Sequence, residues 1–442
     1  MREMKDSGVE WIGEIPKEWN TIRLKYLLTN KKNSIKVGPF GSQIKGNDFV
    51  DEGVPVYTQR TVLDDDFING DAFITKEKYS LLKGFEVEPL DFLITTRGSI
   101  GRVAIAPEDV RPGIIHPCII KFTIDRNIYN EHLLKYIFNG SDIILEQLVL
   151  ASNATTIPVV YSEPLKNVII PIAPYNQQQK IVRYLNEECT KIDAVIKKQQ
   201  AIIEKLKEYK LSIITEAVTG VLTEGAAKVN SGISYVDYMP DTWKNKKMLS
   251  ILAMRVIDGP HESPALFDEG VPYISATAIV NGRIDFSKMR GYISEEYCDI
   301  CDLRYKPQRD DILVIKLGAS TGQVAMVDTD QRFNIWVPLA AVRCNSEAVP
   351  KFVYYAFQSD YFIRQMEQSW TYGTQQTLGV KTIERLRILL PPISEQKRIV
   401  KYLDLKCEKV KSLIDEYSQM IDKLNEYKSA IIYETVTGKE VI

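Results

Sequence analysis

Histidine is almost missing from this chain. Only His116, His132 and His261 occur among 442 residues, and none stands at a metal-ligand or catalytic-triad spacing from a partner. Six cysteines are scattered, and Cys298-Asp299-Ile300-Cys301 is the one close pair. No second pair or His-x-x-x-His completes a zinc set, so a structural zinc is not expected. No apolar run approaches the ~20 residues needed to span a bilayer, and the opening Met1-Arg2-Glu3-Met4-Lys5-Asp6 lacks a hydrophobic signal core. A reduced, cytoplasmic setting without membrane contact is the expectation. A basic surplus is missing too. Lys and Arg total 56 against 58 Asp and Glu, a net charge of −2, which excludes a protein that coats nucleic acid without sequence preference.

Motifs for chemistry are equally scarce. No Gly-x-x-x-x-Gly-Lys-Ser/Thr loop exists for ATP phosphates, no glycine-rich dinucleotide fingerprint, and no Asn/Asp-Pro-Pro-Tyr/Phe of amino-methylating enzymes. Asp64-Asp65-Asp66 and Asp310-Asp311 lack a Glu-x-Lys companion and read as solvated turns. The chain is expected not to be an enzyme and to carry no cofactor or metal of its own.

What is present is one unit written twice. Gln178–Gly220 aligns without a gap on Gln396–Gly438, with about 20 of 43 positions identical. Outside that block, Asp51-Glu52-Gly53-Val54-Pro55 recurs as Asp268-Glu269-Gly270-Val271-Pro272. Gly38-Pro39 recurs as Gly259-Pro260, and Asp91-Phe92-Leu93-Ile94 pairs with Asp311-Ile312-Leu313-Val314. A period near 220 residues is far too long for a solenoid and marks a tandem duplication. The helical parts agree closely, whereas the globular parts agree mainly at Gly, Pro and apolar positions. That difference implies one scaffold carrying two different readers.

After Pro174, Leu185, Cys189, Ile192, Ile196, Ile203, Leu206 and Ile213 fall at alternating three- and four-residue steps, with Gln199 and Lys210 the polar interruptions. Leu403, Cys407, Val410, Ile414, Tyr417, Ile421, Leu424 and Ile431 repeat the stripe in the second copy. Such a stripe predicts a helix-pairing seam, and forty residues give a rod of roughly 60 Å. Chain order makes the pair an antiparallel coiled coil. The fold class expected is α+β: a duplicated mixed recognition domain plus a long helix. Boundaries are a first recognition domain at 1–172, a first long spacer helix at 173–220, a linker at 221–240, a second recognition domain at 241–390, and a second long spacer helix at 391–442. Phe92–Thr96, Arg102–Ile105 and Ile312–Ile315 read as strands, and Glu131–Asn139 and Lys351–Gln368 as helices.

Polar loops recur at matching places and supply the candidate DNA-binding residues. Thr96, Arg97, Ser99 and Arg102 flank one glycine turn, and Lys316, Ser320, Thr321 and Gln323 flank its counterpart. Glycines let such a turn approach another surface, and arginine there binds phosphate or a guanine edge; an ordinary solvated hairpin has the same composition. Lys36, Ser42 and Lys45 surround Gly38-Pro39, and His261 follows Gly259-Pro260. Gln59 and Arg60 correspond to Ser275 and Thr277, and Asn153 and Thr155 correspond loosely to Tyr372, Thr374 and Gln375.

Three segments resemble a known family: Lys5-Asp6-Ser7-Gly8-Val9-Glu10-Trp11-Ile12-Gly13-Glu14-Ile15-Pro16, Thr96-Arg97-Gly98-Ser99-Ile100-Gly101, and Leu390-Pro391-Pro392-Ile393-Ser394-Glu395-Gln396. With the duplication, they make the whole chain similar to the specificity subunit of type I restriction–modification systems. The first copy departs from the third motif, reading Ile172-Ala173-Pro174-Tyr175-Asn176-Gln177-Gln178; its missing Glu implies a less well capped helix. The resemblance implies two domains, each reading half of an asymmetric split target in double-stranded DNA. It also implies two methyltransferase subunits that bring S-adenosylmethionine and modify adenine. Restriction/translocase subunits that use ATP and Mg complete the assembly it implies.

Overall fold

The computed structural model describes residues 3–31, 33–151, 159–223, 225–372, 376–440 and 442, without the side chains of 371 and 372. Contacts divide it into two units, Met1–Gln199 with Gln419–Ile442, and Gln200–Ser418. The heptad-like stripes do form two long helices, Tyr175–Val218 and Ile393–Val436. The second half of each helix belongs to the unit that holds the first half of the other. In the first unit, Lys428 Nζ bonds Asp193 at 2.6 and 2.7 Å, and Gln199 reaches Met420 Sδ at 3.0 Å. Numbering therefore rises along one helix as it falls along the other, which makes the pairing antiparallel. Burial of the expected seam is strongest toward the helix ends: Leu185, Ile192, Ile213, Leu403, Val410 and Ile431 are buried, whereas Ile196, Ile203, Leu206, Ile414, Ile421 and Leu424 are half-buried.

In the first unit, four antiparallel strands stand in the order Ile35–Val37, Ile119–Phe122, Phe92–Thr95, Val103–Ile105. The two central strands are buried along their whole length, as their largely apolar, β-branched sequences favour, with Lys121 the one buried charge among their residues. A second sheet places Val54–Tyr57 parallel to Ile114–Ile115. The second unit repeats this plan. Ile257–Asp258, Leu339–Val342, Ile312–Ile315 and Val324–Met326 form its four-stranded sheet, and Val271–Ile274 runs parallel to Asn334–Ile335. Each copy ends on a strand paired with its own beginning, Ile169–Ile172 on Asn20–Arg23 and Arg387–Leu390 on Lys244–Lys247.

Local differences from the sequence expectation have local causes. Residues 221–240, read as a linker, contain an antiparallel hairpin, Lys228–Ile233 with Val236–Pro240, the counterpart of Met4–Asp6 with Glu14–Pro16. The helix expected over Lys351–Gln368 is two, Pro350–Phe357 and Asp360–Gln368. The break falls at Ser359, whose hydroxyl donates to Ala356 O at 2.6 Å and whose carbonyl starts the next helix. The polar stretch Thr58–Thr61 is no loop but the start of a helix, Gln59–Asp64.

The helix entrances explain the repeated Gln and Trp. Gln178 and Gln396 are buried. Each donates back to the preceding segment, at Ala173 O and Pro391 O, and accepts the Asn130 or Val349 amide. One residue earlier, Glu395 accepts the Trp243 indole N–H at 3.1 Å. In the first copy Gln177 accepts that of Trp19 at 2.8 Å. Loss of the Glu therefore keeps the acceptor that the tryptophan needs. The exits, Gly220 and Gly438, both have positive φ, +79° and +72°; a Cβ there would lie 2.3 Å from Pro240 and 2.5 Å from Pro16 respectively. Glycine is required on both counts.

Candidate nucleic-acid interface

In the first unit, chain segments leaving the strands at Val37, Tyr57, Thr95 and Ile115 converge at one end of the sheets. The convergence is built from backbone: Gly38 N bonds Ile119 O, His116 N bonds Tyr57 O, Thr96 N bonds Cys118 O, and Val160 N bonds Thr96 O. Gly38 lies so close to the crossing strand that a Cβ would stand 2.2 Å from His116 O. The second unit has the same knot. Gly259 N bonds Leu339 O, Trp336 N bonds Ile274 O, Lys316 N bonds Pro338 O, and Leu378 N bonds Lys316 O. A Cβ on Gly259 would meet Ile335 O at 2.3 Å. The recurring Gly-Pro thus marks a steric requirement for a backbone crossing.

The expected contact residues fare unequally. Arg97 and Ser99 are exposed on the turn, and Gln59 is beside them, its amide 3.3 Å from where a Gly98 Cβ would be. These three are brought together, and among the described residues no side-chain hydrogen bond or ion pair occupies their polar ends. Thr96 is buried and donates to Cys118 O at 2.9 Å. Arg102 donates to Asn139 O at 2.5 Å, near the end of helix Glu131–Gly140. Arg60 pairs with Asp64 at 3.2 Å, and Lys36 lies over the Phe85 ring at 4.9 Å. Ser42 and Lys45 are exposed on separate turns, Gly41–Gln43 and before Gly46–Asp48.

In the second unit the principal correction is Lys316. Its side chain is 7% exposed and its ammonium is 2.8 Å from Asp258. The apparent repetition of a basic residue before each glycine is out of step by one. Aligning Gly98 with Gly318 sets Arg97 against Leu317 and Lys316 against Thr96. Adjacent residues in extended chain point to opposite sides, so the one-residue shift turns the cation inward. Thr321 donates to Gly318 O at 2.6 Å, Thr277 to Lys288 O at 3.2 Å, and Ser275 is buried. Ser320 is half-buried, Gln323 exposed, and His261 exposed with Nε2 3.1 Å from Asp258. Asn153, Thr155, Thr374 and Gln375 lie outside the described residues, as does the Tyr372 side chain; its backbone pairs with Gln376 in a short hairpin.

Two residues at the knot escape the sequence reading. His116 and Trp336 hold the same place after the parallel strands Ile114–Ile115 and Asn334–Ile335. The Arg290 guanidinium stacks 3.3 Å above the Trp336 ring, and the indole N–H donates to Glu262 O at 3.1 Å. An offset of 220 residues links His116 to Trp336; that comparison was the available signal. Arg290 had none.

Asp258 organises two cations, Lys316 and Arg304, and the His261 ring. Burial pushes its carboxyl pKa up, but the Lys316 hydrogen bond and charge, the His261 hydrogen bond and the Arg304 charge outweigh burial and hold it below the usual range. Arg304 approaches to 2.7 Å. Such a carboxylate stabilises the fold above the unfolded value of about 3.9, and the contribution is lost as pH falls through the lowered folded-state value. Lys316→Met should therefore begin acid unfolding at a higher pH than the parent when followed by circular dichroism. Superimposable acid curves would remove Lys316 from the cluster.

Among the described residues, no group of three or more His, Cys, Asp or Glu could hold a metal ion, and no helix is long and apolar enough to cross a membrane. The family model for the type I restriction modification DNA specificity domain matches residues 16–208 and 240–409. The chain belongs to this family. The family's sequence match thus covers both copies of the duplication. The type I restriction enzyme EcoBI specificity subunit of Escherichia coli is 23% identical over 399 residues, covering 88% of this chain and 80% of that protein. The putative type I restriction enzyme MjaX specificity subunit of Methanocaldococcus jannaschii is 23% identical over 449 residues, covering 97% and 95%. The fold matches a chain solved in a study of complex assembly and conformational transition of the type I restriction–modification system. That match has a TM-score of 0.66 and 18% identity, covering 96% of this chain and 99% of the other.

Proposed function

We propose that this chain is the non-catalytic, sequence-reading subunit of a type I restriction–modification complex in the cytoplasm. Each recognition domain, residues 1–172 and 241–390, reads one half of an asymmetric split duplex target. Helices 173–220 and 391–442 act as the spacer, with 221–240 as linker. Two methyltransferase subunits supply S-adenosylmethionine and modify adenine in the target, and restriction/translocase subunits supply ATP- and Mg-dependent cleavage.

One observation carries the reading: the same backbone knot is built twice, yet different side chains decorate it. Arg97, Ser99, Gln59 and His116 stand at the first knot. The second has Ser320, Gln323, His261 and the Arg290–Trp336 stack. Arginine, glutamine and serine are the residue types that discriminate base edges in the major groove. A shared scaffold with unlike readers suits two unlike half-sites. The net charge of −2 fits a chain whose partners surround the DNA with their own basic surfaces.

Mapping methylated adenines in cells that carry this chain with its methyltransferase subunits tests the proposal. Two short, unlike tracts separated by unspecified bases are expected. A single contiguous or palindromic motif, or methylation by the purified chain alone, would sink it.

A further inference from the structure

The two ends of the helix pair are equivalent in sequence but not in charge. In the first unit, Asp193 and Lys428 form an ion pair across the helices at 2.6 Å. The gapless 218-residue offset sets Lys411 at the place of Asp193 and Lys210 at the place of Lys428. The second unit thus has two lysines where the first has a salt bridge. Neither forms an ion pair among the described residues, whereas Lys207, one turn away from Lys210, is neutralised by Glu204 at 2.8 Å.

Lys210 and Lys411 line one cavity of about 550 Å³, lying wholly within the second unit. Its walls include Leu211, Ile363, Met366 and Trp370. Glu367 and Asp415 also line it, and neither is ion-paired with either lysine. The Trp370 indole nitrogen is shielded from solvent and has no hydrogen-bond partner among the described residues. An orphaned buried donor is rare enough in a folded protein to require an explanation. The cavity size falls in the range of about 300–1,000 Å³ that holds small organic ligands, and its lining mixes apolar walls with polar and charged side chains.

We infer that this cavity is a binding site for a planar organic anion, whose negative group is held between Lys210 and Lys411 and whose flat body lies along Trp370. The negative group supplies the countercharge that Asp193 supplies in the first unit. The apolar walls favour an aryl or nucleobase-bearing carboxylate, sulfonate or phosphate over a bare inorganic ion. A Trp N–H is donor only, so the acceptor it lacks is of the kind such a ligand brings. Thr321 and Gln323, candidate DNA contacts at the second knot, also line the cavity, but the assignment rests on Lys210, Lys411 and Trp370.

The test uses the full chain and 8-anilinonaphthalene-1-sulfonate, an aromatic sulfonate with a flat naphthalene ring, as the probe. The parent should bind it saturably with one site per chain. Lys411→Asp, which recreates the first unit's ion pair with Lys210, should weaken binding at least tenfold while the far-ultraviolet circular dichroism and melting temperature are maintained. Lys411→Arg, which keeps the charge, should bind within about threefold of the parent. Failure of the parent to bind at one site, or Lys411→Asp binding as tightly as the parent, would overturn the inference.

Discussion

Asp91→Ala should destabilise the first recognition domain by about 3–5 kcal/mol, the cost of stranding one partner of a buried ion pair. Asp91 is fully buried and accepts from Lys121 Nζ at 2.8 Å, Thr123 Oγ1 at 2.5 Å and Glu88 N at 2.9 Å. Lys121 is 6% exposed, so water cannot replace the carboxylate. The duplicate position, Asp311, is also buried but has different partners, Arg343 at 2.7 and 2.6 Å and the Tyr305 hydroxyl at 2.8 Å. Arg343 aligns with Thr123 and stands two residues beyond the place of Lys121, on the same face of the strand. Its side chain is 24% exposed and also donates to Lys306 O. Asp311→Ala should accordingly cost less. Hydrogen exchange read separately on Phe92–Thr95 and Ile312–Ile315 would assign each loss to its domain. An Asp91→Ala chain within about 1 kcal/mol of the parent would contradict the buried-charge argument.

Arg97→Ala should lower the affinity of the assembled complex for its cognate duplex by roughly 10- to 100-fold, the 1–3 kcal/mol of a bidentate base contact. Arg97 is exposed at the glycine turn, with Gln59 beside it. The effect should be confined to one half-site: duplexes altered at a single base there should no longer be discriminated, while discrimination at the other half persists. Fluorescence anisotropy on a panel of single-base variants makes the measurement. A uniform loss across all duplexes would make Arg97 a phosphate ligand and not a base reader. Lys316→Ala provides the contrast. Because Lys316 is bonded to Asp258 inside the fold, its loss should appear in stability while base preference stays intact.

Periodicity and repetition made the architecture legible. The long helices could be read because their stripe repeats over about eight turns and again 218 residues later, and no short-range accident produces that. The strands Phe92–Thr95 and Ile312–Ile315 were legible from unbroken apolar runs bounded by glycine or acid. Features set by a single residue's facing were not. Lys316 and Arg97 look alike in a polar turn, and only the register of the preceding strand separates the buried cation from the exposed one. Arg290 lies 46 residues before Trp336, and no local pattern announces their stacking. The break at Ser359 was hidden because apolar spacing continues through it from Phe357 to Phe362.

Ile431, Ile432 and Val436 close the hydrophobic core that contains Ile12, Trp19 and Leu185. Synthesis therefore delivers this wall of the first unit only after the whole of the second unit. By the time Ser418 is made, the second unit already has every residue it uses, while the first is still open along one side. Vectorial folding, in which a nascent polypeptide normally settles from its amino end, runs in reverse order for these two units, and a stop before Ile431 damages the unit begun before the other.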